Sequence, residues 1–165
     1  EAFRLSRSLR DVPDSRIKVR YRDSLVNFLK RNHFFKDWSI FNSHFVSDKT
    51  ADIGADRTRS IRKRLNVKQN GSVFVKGVAP IQRTIRYIPS KTLDTTVLKS
   101  LRTGDYIGIA SDIPGLDVSH VGILIKANRD LILRHASSNL ARVVEQDFVT
   151  YVREKPGIIV LRPHG

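Results

Sequence analysis

A chain of 165 residues, 40% hydrophobic and 28% charged, is long enough for one domain with a real core and too short for two comfortable ones. It holds no cysteine, which excludes disulfides, thiolate metal sites and a cysteine nucleophile supplied by these residues. The net charge of +14 calls for an anionic environment or partner, while no apolar run approaches the roughly 18 to 20 residues that span a bilayer, so no stable membrane insertion is expected.

Residues 1–10 set Ala2, Phe3, Leu5 and Leu9 at helical spacing, and Val12-Pro13-Asp14 is expected to stop that helix. Residues 15–33 continue the pattern with Ile17, Tyr21, Leu25, Phe28 and Leu29 on one side, although the stretch at Val19 and Tyr21 also suits an extended segment. The aromatic stretch 34–41, with Phe34, Phe35 and Trp38, reads as a loop or short helix covering the core; a ligand-stacking platform is the second reading. The basic cluster at 57–64, Arg-Thr-Arg-Ser-Ile-Arg-Lys-Arg, has no interleaved aromatics, finger ligands or RNP-like strand. It reads as a solvated surface suited to anionic polymers, and nucleic acid is not the expected partner.

From about residue 66 the period becomes strand-like. Asn70-Gly71, between Val67 and the apolar run 73–75, signals a hairpin, because both central turn positions tolerate positive φ. Residues 84–88 alternate as a half-buried strand, and 92–101 read as a short helix. Strands are expected at 105–111, 118–126, 131–135 and 142–144. Asp147 then caps a helix to Lys155, Pro156-Gly157 breaks it, and 158–161 form a buried strand. Helices followed by a meander predict an α+β domain over 1–165 with an antiparallel sheet, mainly helical over 1–45 and β-rich over 66–165.

The residues with chemical potential cluster at strand ends. A meander sets His120, near the start of one strand, beside His135, near the end of its antiparallel neighbour. Two adjacent imidazoles suit a general base and an orienting partner, since the second ring can fix the tautomer of the first. A strand histidine is also commonly a half-buried hydrogen-bonding residue. A metal site built from both histidines with Asp105 or Asp117 is a weaker reading, because the spacing matches no familiar zinc motif. For Asp105 and Asp117, turn capping is the simplest role.

The strings Gly-Asp-Tyr-Ile-Gly-Ile at 104–109, Gly-Leu-Asp-Val-Ser-His-Val-Gly-Ile at 115–123 and His-Ala-Ser-Ser at 135–138 closely resemble the NlpC/P60 superfamily of cell-wall hydrolases. More narrowly they are similar to the N-acetylmuramoyl-L-alanine amidase-like family, formerly a domain of unknown function. Further landmarks are Arg20-Tyr-Arg-Asp23, residues 33–38 and Tyr87-Ile-Pro89, while 44–82 match loosely.

The resemblance implies a papain-like fold, an antiparallel sheet or half-barrel packed against helices, with a Cys-His-polar triad and no metal or other cofactor. His120 would be the base and His135 the orienting residue, with Asp117, Ser119 and Ser137 as candidate substrate-binding residues. The cysteine would begin a helix, where the amino terminus lowers a thiol's pKa. Residues 1–5 read like the continuation of that helix, so the nucleophile is expected upstream of Glu1 and the chain to be the C-terminal portion of a longer catalytic protein, inactive alone. The implied substrates are peptidoglycan stem peptides or muropeptides in the periplasm or outside the cell. The bond would be the lactyl-amide link to L-alanine or, alternatively, the γ-D-glutamyl link of an endopeptidase. A non-catalytic module binding wall fragments is the reading from another class.

Overall fold

The computed structural model describes residues 8–128 and 130–164. The helix expected over 1–10 falls largely on residues 1–7, outside the described residues.

Pro13 opens a helix rather than closing one. It lies in the first turn of α1 (Val12–Arg20), where its missing N–H leaves no bond unmade and its fixed φ suits the helix. The helical run expected through residue 33 instead ends at Arg20, and 3-10 turns at Arg22–Ser24 and Phe28–Lys30 follow. The local cause is backbone geometry: Asp23 and Ser24 take φ of 58° and 55°, which no right-handed helix accommodates. Tyr21 bridges Arg31 in extended pairing, and Leu25, Phe28 and Leu29 are left exposed.

The aromatic stretch forms α2 (Phe35–Phe41), with Phe34 buried just before it. Then come β1 (Val46–Asp48), α3 (Thr50–Gly54), β2 (Arg59–Leu65) and β3 (Ile81–Pro89). The short helix α4 (Thr95–Ser100) leads into the meander β4 (Tyr106–Ala110), β5 (Val118–Ala127), β6 (Asp130–Ser137) and β7 (Arg142–Asp147). Helix α5 (Phe148–Val152) and β8 (Gly157–Pro163) complete the described chain. Asp94 and Asp147 cap α4 and α5 by accepting the N–H of Val97 at 3.0 Å and of Thr150 at 2.7 Å.

Among the described residues the strands make one open antiparallel sheet in the order β2-β3-β8-β4-β5-β6-β7, with β1 added against β8. The α+β class and antiparallel sheet read from the sequence are the ones observed. The last strand in sequence is central in space. It pairs with β4 along one edge, and with β3 and then β1 along the other. Between those two partners, Val160 donates its N–H to Thr50 Oγ1 at 3.0 Å and accepts that of Lys49 at 2.8 Å, so its backbone polar groups are satisfied.

The sheet begins earlier than expected, because β1 and β2 precede residue 66. In β2 the positions Ile61, Lys63 and Leu65 face Ile85, Arg83 and Ile81 of β3. A lysine at an inner position hides the alternation, so the basic cluster is an edge strand. Its exposed Arg59, Arg62 and Arg64 discourage pairing with other chains. The Asn70-Gly71 turn forms, but a single Val67–Val73 bridge follows it. Val75 N–H turns instead to the buried Asn66, whose amide also donates to the carbonyls of Val75 and Val78.

Two cores flank the sheet. One joins Ile107, Ile109, Leu124, Leu133, Ile158 and Val160 to Val97, Phe148 and Val152 of α4 and α5. The other joins Phe45, Ile85, Ile159 and Leu161, with Val19, Phe35 and Trp38 of α1 and α2 against them. Trp38 meets Phe45 and Tyr106 edge-on, at 5.9 and 5.8 Å between ring centres.

The loop between β4 and β5 is gripped by β2 and the segment after it. Lys63, buried, gives its ammonium to the carbonyls of Ser111, Ile113 and Leu116, the last two at 3.2 and 2.9 Å. Asn66 N–H donates to the Gly115 carbonyl at 2.9 Å. Gly115 has φ of 85°, and a Cβ there would lie 2.2 Å from the Val67 carbonyl oxygen. Gly115→Ala is therefore expected to lower stability by about 2 kcal/mol or more, measured by urea unfolding. An unchanged midpoint would show that the loop yields at no cost.

Candidate active site

Strand β5 carries one residue more than β4 where the two diverge: Ala110 faces Val118 and Ile109 faces His120, leaving Ser119 between. Alternation along β5 puts His120 on the face of Leu124, and the bulge turns Val118 to the other face. The pairing of Leu124 with Leu133 places His135, two residues further along β6, on that same face. The two histidines thus meet diagonally across neighbouring strands, as the meander reading requires.

His120 Nε2 lies 2.8 Å from His135 Nδ1, with the rings nearly perpendicular at 87°. His135 Nε2 lies 2.7 Å from Gln146 Oε1 on β7. The Tyr151 ring of α5 sits 4.9 Å from the His135 ring and 6.1 Å from that of His120. His135 is 6% exposed.

Proton positions follow from the amide oxygen. With the Gln146 oxygen toward the ring, His135 Nε2 would carry the proton, and in a neutral ring its Nδ1 would accept from His120 Nε2–H. His120 Nδ1 is then the unprotonated nitrogen, and among the described residues it has no hydrogen-bond partner. Burial pulls the His120 pKa below the usual histidine value, helped by repulsion from the His135 and Lys155 charges. A neutral imidazole with a free lone pair can accept a proton at physiological pH.

The other candidates separate. Ser119, at the bulge, is exposed and lines the cavity beside His120, its hydroxyl 3.4 Å from the Ile109 carbonyl. Ser137 lies past the cavity wall, its Oγ accepting the Leu140 N–H at 3.2 Å. Asp117 is 2% exposed, and its oxygens accept the N–H of Lys36 at 2.6 Å and of Val118 at 2.8 Å. Its carboxylate thus ties the first turn of α2 to the start of β5, away from the cavity. Asp105 caps the turn at Arg102 and forms a two-oxygen ion pair with Arg162 of β8, at 2.7 and 2.8 Å. Both carboxylates are committed inside the fold, and among the described residues no cluster of three metal-ligating side chains forms.

A cavity of about 920 Å³ opens beside the pair. Its walls include His33, Phe35 and Trp38 on one side and Val121, Ile123 and Arg134 on the other. The aromatic stretch therefore serves in two ways: Phe34 is buried, and Phe35 and Trp38 both pack on the sheet and line the cavity. The guanidinium of Arg134 is paired with Glu145, directly across on β7. Gln146 and Tyr151 are the contacts that sequence reading missed. Extending the 142–144 strand by three residues brings Gln146 opposite Leu133, on the histidine face.

A model of the N-acetylmuramoyl-L-alanine amidase-like family, called AmiA-like, matches residues 1–158. Among solved structures, a Legionella pneumophila protein of the DUF1460 family superposes with TM-score 0.83 at 19% identity, covering 99% of this chain and 72% of its own. An N-acetylmuramoyl-L-alanine amidase from Bacteroides uniformis superposes with TM-score 0.73 at 26% identity, covering 96% and 76%. A Bacteroides fragilis protein provisionally described as a xylanase gives 0.74 at 24%, covering 98% and 81%. The first and third likenesses speak for the fold alone. No curated protein matches the chain.

The surroundings of His120 predict its titration. Its NMR midpoint is expected below 6.5, and Lys155→Ala should move it upward by removing a cation. The unfolded chain binds the proton first as pH falls, so this group makes stability drop as pH passes from 6.5 down through the folded midpoint. A midpoint at or above 6.5 would contradict the desolvated, partnered imidazole.

Proposed function

The chain belongs to the N-acetylmuramoyl-L-alanine amidase-like family, and from that premise we propose that it forms most of the active site of a peptidoglycan amide hydrolase. The observation that carries the reading is His120, held by His135 through Nε2 and with no partner at Nδ1 among the described residues, at the edge of a cavity large enough for a sugar–peptide fragment.

The chemistry is acyl transfer by a thiol, as in the NlpC/P60 superfamily. These residues include no cysteine, so the thiol comes from sequence outside the 165, and residues 1–165 alone do not turn over. His120 Nδ1 takes the thiol proton, and the thiolate attacks the amide carbonyl. Backbone N–H groups stabilise the oxyanion. The C–N bond breaks and the amine leaves with the proton from the imidazolium. Water, deprotonated by the same nitrogen, then cleaves the thioester to a carboxylate and returns the thiol. His135 orients the base throughout and carries the second half of its charge. No cofactor enters this sequence of steps.

The bond is the lactyl-amide between N-acetylmuramic acid and L-alanine, the activity named for the Bacteroides uniformis protein. Stem peptides bear carboxylates, which suit a chain of charge +14. Ser119, exposed beside the base, is the best placed of the candidate substrate contacts. Such a substrate puts the protein in the periplasm or outside the cell. The missing cysteine favours one second reading, a module that binds muropeptides without cutting them.

The test uses the full-length gene product and defined muropeptides, with products identified by mass. The expected result is release of the stem peptide from the sugar, reduced about 10³-fold or more by His120→Ala. Undiminished cleavage in that variant would remove His120 from catalysis. Cleavage inside the peptide would select the γ-D-glutamyl alternative, and binding without turnover would select the module.

A further inference from the structure

The relay of three side chains can hold its protons in two ways, and the far end decides between them. With the Gln146 oxygen toward His135, the protons lie on both Nε2 atoms and His120 offers a lone pair at Nδ1. With the Gln146 amide turned about, its NH2 would donate to His135 Nε2, His135 Nδ1–H would donate to His120 Nε2, and His120 Nδ1 would carry a proton. The second arrangement leaves the site without a base. The distances are the same in both, so the imidazole pair by itself does not choose.

We propose that Gln146 is the positioning residue that selects the tautomer of both histidines, making a base of His120 through His135. The observations are the 2.7 Å contact of its oxygen with His135 Nε2 and the 2.8 Å contact between the rings. Its place is set on both sides: β7 pairs it with Leu133, and Asp147 caps α5 immediately after it. Tyr151 from the same helix covers both rings and narrows the approach of water that could supply alternative partners. Neither a sequence motif nor the family membership points to this residue. The inference deepens the amide-hydrolase reading and rests on it for the word base, but not for the proton positions.

The test compares Gln146→Glu and Gln146→Leu in the full-length protein, with histidine rings labelled by 15N and examined above their titration midpoints. Glutamate has acceptor oxygens only, so it should keep both histidines protonated at Nε2. Leucine removes the acceptor, so the His120 and His135 signals should shift toward mixed or inverted tautomers. The kcat/KM should then fall on the order of 10²-fold, with the thermal midpoint little changed at this exposed position. Wild-type tautomers in the leucine variant, or scrambled ones in the glutamate variant, would overturn the proposal. The NMR readout needs no substrate, so the two claims fail separately. Tautomers that follow residue 146 in a protein that cuts nothing would sink the hydrolase reading alone. Cleavage with tautomers indifferent to residue 146 would sink the relay alone.

Discussion

Between Val118 and His120 the fifth strand spends one residue more than its partner β4. In a regular strand, side chains alternate, and His120 would share a face with Val118. The extra Ser119 reverses that assignment. It turns Val118 to the core of α1 and α2 and leaves His120 on the opposite face, where His135 and Gln146 project. The same residue is pushed to the surface at the cavity wall. One insertion thereby separates the faces of Val118 and His120 and exposes a hydroxyl beside the imidazole pair.

The loop before β5 is held by charged groups. Lys63 reaches from the neighbouring sheet edge to three of its carbonyls, and Asp117 ties its end to the first turn of α2. Burial lowers the Lys63 pKa, opposed by attraction to Asp112 and Asp117, while burial raises that of Asp117 against the pull of its backbone donors. Breaking either group would leave the other's partners unsatisfied in a poorly hydrated place, which costs more than the contact itself contributes. The positively charged edge strand is thus connected to the site through one buried ammonium.

Much of this was legible. The strands from β3 onward show in the sequence because their apolar residues alternate or run together, and the Asp147 cap of α5 is visible from its local pattern. The meander brings His120 and His135 together whatever the register detail. Three things were hidden. Lys63 at an inner position disguised β2 as a solvated cluster. Pro13, read as a helix stop, opens α1 instead, and α1 ends where Tyr21 turns extended to bridge Arg31, a partner the local pattern does not show. Gln146 lay beyond the short strand expected at 142–144, so its pairing across the turn to β6 and its contact with His135 did not show. Asp117 takes the capping role that is simplest for it, buried with its oxygens on backbone N–H groups, and Ser137 closes a turn.

The fold and the family match converge on one atom, His120 Nδ1, which has no hydrogen-bond partner among the described residues and would face the thiol in the proposed chemistry. The most direct test is an experimental structure of the full-length protein, read for the distance from that nitrogen to the thiol sulfur. The account predicts the sulfur within hydrogen-bonding reach, about 3 to 3.5 Å, with His120 Nε2 still turned to His135. A sulfur nearest to Nε2, or no thiol within roughly 6 Å of either ring, would contradict it.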